Sequence, residues 1–230
     1  MNYLSHGYRF LDDPMFLAGT AVPDWLSVAD RSVRMRSKSL LVKLENASGE
    51  VLQLGKGILQ HLEDDQIFHE KESFIILSSQ LGRLFRELPG LNDGFRPGFL
   101  GHIVTELLLD RVLMLRTPGL IEHYYDQMSQ LDPRMIQSCV NLLGPRETDN
   151  LAWFVEIFQK ERFLEDYLQF DRLLFRLNQV MKRVRLTELP SQTISVLEAG
   201  YELVEAAAPE LLINDSVEAT IQTVSYRYAG

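Results

Sequence analysis

Apolar residues recur at helical spacing along nearly the whole chain, and strict alternation is almost absent before the last dozen residues. A helical period gives each segment one apolar stripe, which is buried most simply against other helices, so the pattern predicts an all-α multi-helix bundle. Capping and breaking residues divide it at Asp12-Asp13-Pro14, Pro23-Asp24, Asn46 to Gly49, Pro89-Gly90 with Asn92-Asp93-Gly94, and Pro118-Gly119. The spacing predicts helices over residues 3–11, 14–21, 27–45, 51–88, 97–117, 120–131 and 133–143. Long amphipathic runs follow over 149–185 and 190–212, and residues 217–228 read equally well as strand or helix.

At 230 residues the chain suits a single helical domain over 1–230, able to bury roughly 70% of the surface its unfolded form exposes. It needs no metal to hold a core, so a metal site would exist for function. The net charge of −9, from 23 basic and 32 acidic residues, repels nucleic acid and anionic lipid and argues against both as partners. The single cysteine, Cys139, excludes an intramolecular disulfide and a thiolate zinc site, which fits the cytoplasm. Met1-Asn2-Tyr3-Leu4-Ser5-His6 lacks the basic start of a signal peptide, and no run approaches the roughly 18 apolar residues of a membrane span.

Chemistry is concentrated in the histidines. His61, Asp65 and His69 stand at successive steps of four, and His102, Glu106 and Asp110 repeat the arrangement. Each step of four drifts about 40° around a helix, so each trio lies on one stripe about 12 Å long. Neighbouring members are close enough to chelate one ion, with the outermost serving a second ion or a supporting role. Imidazole with carboxylate suits Mn, Fe or Zn, and oxygen-rich sites tilt toward Mn or Mg. The simpler alternatives are a solvated face with pairing at i, i+4 for the first trio and a buried polar network for the second.

The start of the chain adds a resemblance. Met1-Asn2-Tyr3-Leu4-Ser5-His6 with Gly19 and Asp24, then Gly57-Ile58, His61 and Asp65 with Phe74 after them, and the segment from Glu106 to Leu113 together resemble the acyl carrier protein phosphodiesterase family. That family is all-helical, related to the HD-type metal phosphohydrolases, and uses a divalent metal, typically Mn, to remove the 4′-phosphopantetheine arm from acyl carrier protein. The resemblance implies an HD-like bundle with His6, Asp24, His61, Asp65 and Asp110 as metal-site residues, and Glu106 in place of a family Asp. It covers about residues 1–30 and 55–115. The chain departs from the pattern at Thr20, at Leu62-Glu63 where the family has a basic pair, and at His69. Residues 1–115 thus form the expected metal-site half, and 116–230 complete the helical core.

In the mechanism this implies, a metal-activated water attacks phosphorus beside Asp65 while His69 or His102 protonates the leaving oxygen. Arg31, Arg34 and Arg111 are the expected phosphate or partner contacts, and Arg31, Arg34, Arg36 and Lys38 form either a dock for an acidic carrier protein or an ordinary solvated helix face. A small phosphodiester is the other expected substrate. One rival reading is a non-catalytic helical binding or scaffold protein on the same fold. Another, a di-iron carboxylate bundle, ranks last because no Glu-x-x-His spacing is met.

Overall fold

A computed structural model describes residues 1–88 and 95–212. Among these residues the chain forms eleven α-helices and one 3-10 helix, with no strand. The helices are α1 (Tyr3–Gly7), α2 (Pro14–Ala29), α3 (Ser37–Leu44), α4 (Gly49–Glu70), α5 (Glu72–Arg86) and α6 (Pro97–Arg116). They continue with α7 (Leu120–Ser129), α8 (Pro133–Leu143), α9 (Leu151–Glu161), the 3-10 helix (Phe163–Leu168), α10 (Phe170–Arg183) and α11 (Thr193–Leu211). Residues 217–228, with their strand-or-helix pattern, lie outside the described residues. None of the described helices is long and apolar enough to cross a membrane.

Two close helix pairs position the site. In the first, α2 lies along α4, and Gly19 meets Gly57 at the crossing. A Cβ on Gly19 would fall onto the Leu54 carbonyl oxygen and lie 2.8 Å from the Gly57 Cα. A Cβ on Gly57 would strike the Phe16 carbonyl oxygen, so the two backbones touch only because both residues are glycine. In the second pair α5 lies along α6, where Gly101 sits against the Ser78 carbonyl. Helix α11 covers α5 and α6, while α8 and α9 close over α4 and α2.

Five boundaries differ from the sequence reading. Helix α1 stops at Gly7 rather than continuing to residue 11, where Leu17 and Tyr124 close on the glycine and leave no room for a side chain. Helix α2 runs through Pro23, because Val22 and Trp25 on either side are fully buried; losing that burial would exceed the roughly 3 kcal/mol an internal proline costs. The basic stretch 27–45 is not one helix. Val33 and Met35 alternate into the core while Arg34 and Arg36 face solvent, a short extended passage ahead of α3. The stretch 51–88 breaks at Lys71, whose backbone turns extended and whose ammonium donates to the carbonyls of Glu210, Leu211 and Leu212 at the end of α11. The run 149–185 likewise breaks at Arg162, held in the left-handed region at φ 46°.

Candidate metal centre

The Gly19–Gly57 crossing brings the Thr20 carbonyl to His61. Nδ1 of His61 donates to this oxygen at 2.7 Å, because a carbonyl can only accept. The bond fixes the tautomer and leaves Nε2, 3.5 Å from Asp65 Oδ2, free to ligate. The ring of His6, on α1, stacks on that of His61 with centroids 3.9 Å apart, and its Nε2 lies 3.4 Å from Asp65 Oδ1. His6 is wholly buried, and neither ring nitrogen has a hydrogen-bond partner. Nδ1 faces Asp64 Oδ2 at 3.7 Å, and Asp64 itself is held by Arg9 and Gln60, each at 2.6 Å.

A buried imidazole with two unpaired nitrogens carries a penalty of about 1–3 kcal/mol per unsatisfied group. Ligation by Nε2, with Asp64 beside Nδ1, is the arrangement that relieves it. The ligand atoms of His6, His61 and Asp65 all lie within 4.8 Å of one another. At ligand distances of about 2.1 Å a tetrahedral edge is about 3.4 Å, close to the 3.4 and 3.5 Å that separate the Nε2 atoms of His6 and His61 from the Asp65 carboxylate. The donor set therefore fits a divalent cation. Asp24 faces the cavity that His61 and Asp65 line, and its Oδ2 is buried without a partner. Burial lifts its carboxyl to about 7 despite the opposing pull of His61.

A second group stands beside the first. His69, near the end of α4, and His102, on α6, each place Nε2 on Glu106 Oε1, at 3.0 and 3.1 Å. Their rings stack at 4.7 Å. The two groups meet at the Met1 ammonium, which donates to Asp65 Oδ1 at 2.7 Å and Glu106 Oε1 at 3.2 Å. Burial opposes every charge in this cluster, yet the partners prevail. The ammonium rises to about 10 beside Glu106 and Asp65, and Glu106 falls to about 2 beside that ammonium and His102. Asp65 falls well below the ordinary carboxylate range, against its burial, through the His6 and His61 imidazoles and the Met1 ammonium beside it.

The stripes are thus regrouped. His61 and Asp65 join His6, whereas His69 crosses to His102 and Glu106, so Glu106 lies in the second group. Asp110 is not among the grouped ligands. Its oxygens accept from Leu4 N at 3.1 Å, Ser5 N at 2.8 Å, Ser5 Oγ at 2.5 Å and Asn2 Nδ2 at 2.8 Å, which commits the carboxylate to capping α1. Arg111 is also committed elsewhere: it donates to the Tyr167 carbonyl at 2.7 Å and lies 4.1 Å over the Phe170 ring. Arg31 and Arg34 do line the cavity with Asp24, His61 and Asp65, and Arg183 of α10 joins them. Leu62 lines the same cavity.

Sequence reasoning missed Arg183, Asp64 and the Met1 ammonium. A Gln60-Asp64 spacing of four was the only local sign of the second of these. The cavity of about 580 Å³ over the first group adjoins another of about 380 Å³, the two sharing Asp24 and Arg183. Tyr3, Phe154, Phe163 and Tyr167 give the smaller one an aromatic wall. Compared with protein-family models, with curated proteins and with solved structures, the chain matches none.

Proposed function

We propose that the chain is a divalent-metal-dependent hydrolase of phosphoric esters, with His6, His61 and Asp65 holding the ion and Asp24 facing it. One observation carries the reading: His6 is buried with both ring nitrogens unpaired, next to the free Nε2 of His61 and to Asp65. The ion, when bound, supplies Lewis-acid stabilisation of the charge that develops on a phosphoryl group. The chain's own residues do the rest. Thr20 orients the His61 imidazole, Asp64 places its negative charge 3.7 Å from Nδ1 of His6, and Arg31, Arg34 and Arg183 offer planar cationic donors to phosphate oxygens across the cavity. The aromatic cavity next to them takes an apolar part of the substrate away from water.

The resemblance supplies the finer proposal, the 4′-phosphopantetheine link of acyl carrier protein, with Mn as the ion. Charge supports it: Arg31 and Arg34 at the cavity, with Arg36 and Lys38 exposed beside them, form a cationic edge on a chain of net charge −9. The test is hydrolysis of a generic aryl phosphodiester and of holo acyl carrier protein, with Mn, Fe, Zn or Mg added to chelator-treated protein. Metal-dependent turnover lost in Asp65→Asn is expected. Metal binding with no turnover of either substrate would overturn the hydrolase and return the chain to a non-catalytic helical binding protein.

A further inference from the structure

We propose that His69, His102 and Glu106 form a second divalent-cation site, making a two-ion centre with the first. This extends the hydrolase reading, but ion binding at these residues is testable without it. The ligand atoms come from two helices and converge within 4.8 Å of one another. Both imidazole Nε2 atoms lie 3.0–3.1 Å from a single oxygen, Glu106 Oε1. Ligands at about 2.1 Å and about 90° to one another are separated by about 3.0 Å, so these are the edge lengths of an octahedral coordination sphere.

Oε1 faces both imidazole Nε2 atoms and the Met1 ammonium. One divalent ion among the three ligand atoms would engage both nitrogens and the oxygen together, and metals bind imidazole in its neutral form. The ring orientations are fixed by Phe74, which packs edge-on against His69 at 5.1 Å and His102 at 5.0 Å. On the other side the histidine side chains are 33% and 42% exposed, which leaves an open face for an ion to enter. The Met1 ammonium donates to both Glu106 and Asp65, so one ligand from each group lies within hydrogen-bond reach of a single atom.

The experiment is a count of Mn bound per chain, by equilibrium dialysis with elemental analysis, for the full chain and for the variants His102→Ala, Glu106→Gln and His61→Ala. Two ions in the wild type, one in each variant, is the expected result. One ion in the wild type, kept in His102→Ala and Glu106→Gln but lost in His61→Ala, overturns the second site while the hydrolase reading stands. Two ions retained in His102→Ala and Glu106→Gln also overturn it, since the second ion would then lie elsewhere. One ion lost in His102→Ala and kept in His61→Ala upholds this site and removes the first. A wild-type chain that binds no ion overturns both.

Discussion

His61 donates its Nδ1 proton to the carbonyl oxygen of Thr20 at 2.7 Å, across the contact between α2 and α4. Because the acceptor is backbone, the bond does not depend on which side chain stands at position 20. The Thr20 hydroxyl instead turns back to the Leu17 carbonyl at 2.7 Å. What the bond does require is the close approach of the two helices at Gly19 and Gly57.

Gly19→Ala should therefore damage stability and site together. Its methyl would meet the Leu54 carbonyl, which belongs to the α4 backbone and cannot swing aside. We expect a loss of about 1–3 kcal/mol or more, and Mn affinity about 10–100-fold weaker as the Thr20 carbonyl leaves His61. Thermal unfolding with chelator and Mn titration check the two effects. Gly98→Ala, where a Cβ meets nothing within 4 Å, is the control and should leave both unchanged.

Asp24 predicts a pH dependence whose sign reverses with metal. Its carboxyl is raised from 3.8 to about 7 in the folded chain, so between those values the folded state binds more protons than the unfolded one. Stability from this group is complete below about pH 4 and is lost as pH rises through about 7. In chelator, Asp24→Asn should match wild type near pH 4 and exceed it in melting temperature at pH 8. Saturating Mn should reverse that order, since the ion supplies the missing countercharge. Equal melting temperatures at every pH would contradict the burial of Asp24 Oδ2 without a partner.

Asp110 holds the N-terminal turn, and through it His6. Asp110→Ala strands the amides of Leu4 and Ser5 in the core and should cost about 3 kcal/mol or more in urea unfolding. Ser5→Ala removes one hydroxyl donor and should cost about 1 kcal/mol. Loss of Mn binding in the first variant is expected to follow from the release of α1.

Two arginines should separate binding from stability. Arg183 lines the cavity, so Arg183→Ala should raise KM for an aryl phosphodiester about tenfold and leave the melting temperature near wild type. Arg111 is tied to Tyr167 and stacked on Phe170. Arg111→Ala should lose about 1–2 kcal/mol of stability with KM unchanged. The opposite pattern would restore Arg111 as the phosphate ligand.

The helical class was legible because nearly every segment repeats its apolar residues at the helical period, and the pairs His61–Asp65 and His102–Glu106 follow from a spacing of four. What spacing could not show was which pairs meet across helices. His69 shares a stripe with Asp65, yet the backbone turns at Lys71 and α6 crosses near that end of α4, so its partners are His102 and Glu106. The passage Val33 to Arg36 alternates for only four residues, too few for the period to be read ahead of α3. Arg183 lies at the end of a helix whose sequence shows only ordinary amphipathicity, and only the folded chain brings it to Asp24.

Anomalous diffraction from crystals of the full chain grown with Mn reads whether His6, His61 and Asp65 hold an ion. A peak is expected within bonding distance of the Nε2 atoms of His6 and His61 and of the carboxylate of Asp65. Mn bound elsewhere in the crystal, with no peak in bonding distance of His61 Nε2, would contradict this metal site.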